Sequence, residues 1–142
     1  TAVMDWHSRY VLSWELSVTM DKEFCISSLE PALRGHGSPE IFNTDQGAQY
    51  TSLEFTKVLI DNGIKISMDG KGRAMDNILI ERLWRSVKYE YIYINEFQSV
   101  AQLRKSLKEY FYFYNHERPH QNFYGETPAE IYYGKRQLPM AA

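Results

Sequence analysis

Two acidic side chains stand where this sequence can do chemistry. Asp45 ends a run, Ile41-Phe42-Asn43-Thr44-Asp45, that reads as a short strand entered after Ser38-Pro39 and stopped at Gln46-Gly47. A carboxylate at the C-terminal tip of a strand in an open α/β sheet lies at the crevice where such folds bind ligands. Asp-Gln-Gly is also good turn chemistry, so a purely turn-forming Asp45 is the plain alternative. Glu81 lies in a segment where Ile80, Leu83, Trp84, Val87 and Tyr91 recur at the spacing of a buried helix face. Asn77, Glu81, Arg85 and Lys88 form a second stripe about 100° from the first, which places Glu81 at the edge of the core. Its plain alternative is an ordinary i,i+4 surface pair with Arg85, contributing a few tenths of a kcal/mol. Two carboxylates on separate elements, beside the basic glycine loop Gly70-Lys71-Gly72-Arg73, suit a hard divalent cation better than zinc or copper. Mg2+ is the expected metal, with Mn2+ as its substitute. A phosphate ester is the expected substrate, because Mg2+ leaves most of its positions to water and phosphate oxygens.

The elements that must position these groups follow from patterning. Thr1 to Asp5 and Tyr10 to Ser17 read as an opening hairpin around the turn Trp6-His7-Ser8-Arg9, with the Tyr10, Leu12, Trp14, Leu16 face turned to the core. Thr19 is placed to cap a helix running to about Arg34, ended by Gly35-His36-Gly37, with Pro31 bending its last turn. Thr51 is expected to cap a helix through Asn62, stopped by Gly63, and Ile64 to Ser67 forms another short strand. Asp76 or Asn77 caps a helix to about Tyr91, and a second long helix spans about Ser99 to Asn115. Strands and helices alternating after a hairpin predict an α/β fold with a mixed sheet.

Composition excludes several classes. With 142 residues, 44% hydrophobic and 24% charged, the chain suits one folded domain rather than a disordered tail. The single cysteine, Cys25, removes an internal disulfide and cysteine-based zinc sites, which favours a reducing cytoplasmic compartment. No stretch approaches eighteen uninterrupted apolar residues, so no membrane partner is expected. The net charge of -2 hides an asymmetry: residues 1–70 carry five Lys and Arg against ten Asp and Glu, whereas residues 71–142 carry eleven against eight.

Asn43-Thr44-Asp45-Gln46-Gly47-Ala48-Gln49-Tyr50, then Asp76-Asn77 and Glu81, resemble the second and third acidic positions of the DDE transposase and retroviral integrase superfamily. Thirty-five residues separate Asp45 from Glu81, the spacing of integrases and of IS3-type insertion-sequence transposases. Met4-Asp5-Trp6-His7-Ser8-Arg9, Glu81-Arg82-Leu83-Trp84, and Tyr114-Asn115-His116-Glu117-Arg118-Pro119-His120 with Thr127-Pro128 are similar to that family's other landmarks. Together they span nearly the whole chain.

The resemblance implies an RNase H-like mixed sheet flanked by helices, in which three carboxylates hold two Mg2+ ions and DNA strands are cut and joined. It implies a catalytic core over residues 1–115, starting at the second strand and lacking the first strand, and a C-terminal segment over 116–142 that closes the core. The family's first catalytic Asp would fall upstream of Thr1, so the chain taken alone is expected to be inactive. Asp5 is not its substitute, because it matches the family's turn position and is expected to hydrogen-bond that turn. Asp45 and Glu81 are the expected catalytic residues and metal ligands. Lys88, Arg85, Asn77, Lys71 and Arg73 are the expected DNA contacts, supplying affinity through phosphates rather than sequence readout. The expected partners are transposon ends and target DNA, bound by a homo-oligomer in the bacterial cytoplasm and nucleoid-associated when on DNA. The aromatic run Tyr110 to Tyr114 is expected to be scaffold, with His116, Arg118 and His120 in polar contacts. A His116/His120 metal pair is set aside because Pro119 interrupts the helix between them. The alternative functions are a catalytically dead DNA-binding or oligomerising remnant and a nuclease acting on RNA·DNA hybrids.

Overall fold

The computed structural model describes residues 1–17, 23–44, 48–68 and 78–141. Its elements are β1 (Ala2–Met4), β2 (Val11–Trp14), α1 (Glu23–His36), β3 (Ile41–Thr44), α2 (Ala48–Thr51), α3 (Leu53–Asp61), β4 (Lys65–Met68) and α4 (Ile78–Val87). A π-helix (Lys88–Ile92), α5 (Val100–His116), a 3-10 turn (Gln121–Phe123) and α6 (Pro128–Ala141) follow. The expected α/β class is observed. The chain divides into two compact units, one of Thr1–Val3 with Leu12–Glu81 and one of Met4–Val11 with Arg82–Ala142.

In the first unit β3 and β4 pair in parallel, with Ile41 opposite Lys65 and Thr44 opposite Met68. Parallel neighbours need a crossover, and α2 and α3 supply it. Phe42 and Thr44 share a face with their partners Ile66 and Met68, whereas Ile41 and Lys65 on the other face are exposed. Beneath lies a core of Cys25, Leu29, Phe55, Leu59 and Ile64, joined by Leu33, Phe42, Tyr50, Val58 and Ile66. The Phe55 ring meets those of Tyr50 and Phe42 edge-on, at 5.3 and 6.1 Å between centroids.

Helix ends correct two details of the sequence reading. The helix expected to start at Thr51 is two helices, and Ser52 is the cap of the second: its hydroxyl accepts from the Phe55 amide at 3.3 Å. At its other end, the Gly63 amide donates to the Ile60 carbonyl and the Ile64 amide to that of Leu59, both at 3.0 Å. This closure requires the positive φ of 71° that Gly63 adopts. Helix α1 runs through Gly35 to His36, and Gly37, with φ 81°, ends it. Pro31 lies inside α1, and the Thr19 cap falls outside the described residues.

Thr1 and Glu15 exchange backbone hydrogen bonds at 2.9 and 3.0 Å, the reciprocal pattern of antiparallel strands. The expected one-sided burial of β2 does not hold. Val11 is buried and Trp14 only half-buried, because Val11 is gripped by a helix side chain in the second unit.

In that second unit the hairpin turn is built around Asp5. Its Oδ2 accepts from the Ser8 amide at 2.9 Å and the Ser8 hydroxyl at 2.6 Å, the turn role expected of it. Helix α5 starts at a reciprocal cap: Ser99 Oγ accepts from the Gln102 amide, and Gln102 Oε1 accepts from the Gln98 amide. Leu83, Val87, Leu107, Tyr110, Phe111 and Tyr114 form the interior, with Tyr10 stacked on Tyr132 at 4.8 Å. The Tyr110 to Tyr114 run is therefore scaffold at Tyr110, Phe111 and Tyr114, while Tyr112 and Phe113 are exposed.

Candidate active site and nucleic-acid interface

Glu81 stands in the first turn of α4 with its side chain exposed, as expected for a carboxylate at the margin of the Leu83/Val87 face. Asp45 follows Thr44, the last residue of β3, and itself lies outside the described residues, as do Asn77, Lys71 and Arg73. Thr44 is buried, and among the described residues its hydroxyl has no hydrogen-bond partner.

Among the described residues no group of three His, Cys, Asp or Glu could hold a metal. The donor chemistry nearest Glu81 in sequence is nevertheless oxygen chemistry. The one thiol, Cys25, is sealed in the core of the first unit. His116 and His120 do not act as a pair: the His116 ring lies 4.6 Å from that of Tyr112, while His120 packs against Tyr114 and Phe123.

Arg85, in the last turn of α4, and Lys88 are exposed cations. Lys88 does not continue the α-helix expected to reach Tyr91. It opens the π-helix, closed by a 2.9 Å hydrogen bond from the Tyr93 amide to the Lys88 carbonyl. That wider turn was invisible to a periodicity argument, which assumes one helical step throughout.

Sequence reasoning also missed Glu90. Its carboxylate accepts a two-pronged hydrogen bond from Arg118, with Nε at 3.0 Å, and a third bond from the Tyr110 hydroxyl at 3.1 Å. The Arg118 hydrogen bonds hold the Glu90 carboxyl below its ordinary value. Arg118 thus meets the expectation of a polar contact. His120 departs from it, because its Nε2 is buried without a hydrogen-bond partner among the described residues. Burial, then the charges of Arg118 and Arg9, depress His120 to about 4. Tyr114, desolvated alongside, is raised to about 12.

Residues 1–74 match the family model described as integrase core domain, and residues 62–128 match a second model of the same description. The chain belongs to the integrase core family. This integrase core is 32% identical over 131 residues to a putative transposase InsK for insertion sequence element IS150 of Escherichia coli, covering 90% of the chain and 46% of that relative. It is 31% identical over 132 residues to transposase InsF for insertion sequence IS3A of the same species, covering 91% of the chain and 46% of that relative. The chain spans about half the length of these relatives.

Among solved structures, the simian T-cell lymphotropic virus intasome in complex with PP2A regulatory subunit B56 gamma superposes with a TM-score of 0.75 at 24% identity, over 89% of this chain and 45% of that one. The HTLV-2 integrase catalytic core domain in complex with magnesium, in its dimeric form, gives 0.68 at 22% identity, over 90% and 79%. These likenesses establish the fold, the RNase H-like arrangement of retroviral integrase cores. No described helix of the integrase core is long and apolar enough to cross a membrane.

Proposed function

We propose that this integrase core serves metal-dependent cleavage and joining of DNA strands during transposition, with Asp45 and Glu81 as two carboxylates of its metal centre. The observation that carries the reading is the exposed Glu81 in the first turn of α4, separated by thirty-five residues from an Asp that directly follows the last residue of β3. Membership in the integrase core family supports it. Mg2+ ions, or Mn2+ in their place, when bound would supply activation of water or a DNA 3′-hydroxyl and stabilisation of the leaving oxygen at phosphorus.

The chain's own residues do the rest. Asp45 and Glu81 supply negative charge that draws the cations. Lys88 and Arg85, with Asn77, Lys71 and Arg73, hold the phosphates that flank the scissile bond. Phosphate contacts of this kind fix orientation and affinity and carry no base information. Residues 116–142 close the core, a role supported by buried Thr127, Pro128 and Ala129 at the start of α6. The working form is a homo-oligomer assembled on transposon ends and target DNA, in the bacterial cytoplasm and at the nucleoid.

The test is Mg2+-dependent cleavage and joining of a labelled terminal-repeat duplex by the full-length transposase. Loss of joining on neutralising either carboxylate, with DNA binding kept, is the expected result. Binding without any metal-dependent cleavage by the unaltered protein would instead make the core a DNA-binding module.

A further inference from the structure

The C-terminal landmark arginine reaches back to Glu90, at the middle of the π-helical turn. We infer that Arg118 is a positioning residue for DNA binding: through Glu90 it fixes the π-helical turn and so aims Lys88 outward at phosphate. The inference rests on the reading of Lys88 as a phosphate contact.

Four observations within the second unit carry it. First, π-helical turns are rare and poorly favoured against the α-helix, so one that persists needs an outside hold. Second, the hold is present at the middle of the turn. Glu90 accepts both prongs of the Arg118 guanidinium and the Tyr110 hydroxyl, using both carboxylate oxygens. Third, Arg118 is itself fixed. Its amide donates to the Phe113 carbonyl at 2.8 Å, and its guanidinium lies 5.8 Å from the centre of the Tyr114 ring. Pro119 follows and ends any continuation of α5. Fourth, residues two apart on a helix do not face each other. Tying Glu90 to the end of α5 therefore turns Lys88 toward solvent, where its side chain is found.

A planar fork matters for this job. Two parallel bonds set the orientation of the carboxylate, whereas a lysine at the same place would supply charge without direction. Arg118→Lys should accordingly fail to replace Arg118.

The experiment measures two quantities on the whole chain. Hydrogen exchange at the Tyr93 amide reads the bond to the Lys88 carbonyl directly. Binding to a double-stranded oligonucleotide of arbitrary sequence, titrated with salt, reads phosphate contact. In Arg118→Ala and Arg118→Lys, exchange at Tyr93 should speed up roughly tenfold and low-salt affinity should fall several-fold. Glu90→Gln, which keeps the shape and the Tyr110 bond, should act alike and guards against a variant that fails to fold. In a Lys88→Ala background the Arg118 substitutions should cause no further loss of affinity. Unchanged Tyr93 exchange, or an equal affinity loss with and without Lys88, overturns the inference. If Lys88→Ala alone leaves the salt dependence intact, the phosphate reading of Lys88 fails, and the DNA role of Arg118 fails with it. The exchange measurement then shows separately whether the clamp exists.

Discussion

Asn115 grips Val11 through both ends of its side-chain amide: Oδ1 accepts from the Val11 amide at 2.8 Å, and Nδ2 donates to the Val11 carbonyl at 3.0 Å. A helix side chain thereby satisfies a strand residue as a neighbouring strand would. Both residues are buried, so neither backbone group can turn to water. Asn115→Leu should cost about 2–4 kcal/mol, two stranded polar groups at roughly 1–3 kcal/mol each with some relaxation. Urea denaturation monitored by tryptophan fluorescence measures it, and a cost below about 0.5 kcal/mol would mean the pair is incidental.

On the proposed metal-centre reading, Asp45→Asn and Glu81→Gln should each abolish Mg2+-dependent joining and leave DNA affinity within about twofold, because the amides keep shape and remove the charge that would draw the cation. Gel-based joining and binding assays run side by side check this. Joining at the unaltered rate by either variant removes that residue from the metal centre.

Lys88→Ala should weaken duplex binding uniformly across sequences and lower the slope of log affinity against log salt by about 1. Titrations at several salt concentrations give the slope. A sequence-dependent loss with the slope unchanged would assign Lys88 to base contact.

Asp5→Asn should leave joining intact while costing about 1 kcal/mol, since the weakened bonds to Ser8 belong to the turn and not to the metal centre. A collapse of joining with stability preserved would reinstate Asp5 as a ligand.

His120 sets an acid limit. Its folded value of about 4 lies below the ordinary 6.5, so between those pH values the unfolded chain takes up a proton that the folded chain refuses. Stability should therefore be unaffected by this group above pH 6.5 and fall as pH drops from 6.5 toward 4. Glu90, held low by Arg118, loses its stabilising contribution only as pH falls below its ordinary value of 4.5, where the unfolded carboxyl takes up the proton first, so it adds to the His120 effect only at the acid end of that window. His120→Asn should flatten a plot of Tm against pH over that window, and an unaltered acid slope would assign it to other groups.

Local chemistry made much of this fold readable. Strands β3 and β4 were legible as short apolar runs separated by a helical pattern, though their parallel pairing was seen only in the structure, and the Leu83/Val87 face followed from spacings of three and four. What escaped were choices between near-equal local solutions: Ser52 over Thr51 as a cap differs only in which hydroxyl reaches an orphan amide. The π-turn at Lys88 escaped because its cause, the Arg118 contact to Glu90, lies 28 positions away and leaves no periodic trace. Glu81 was legible as an exposed carboxylate on a half-buried helix. The His120 environment was not, since desolvation is a property of the assembled neighbours.

Cys25, the chain's only thiol, is 2% exposed within the Leu29/Phe55/Leu59 cluster. An alkylating reagent can reach it only when that cluster opens. The first unit therefore carries its own clock, and the second carries none. Modification rates timed against a second probe would show whether the two halves come apart together or in turn, with no label added to the molecule.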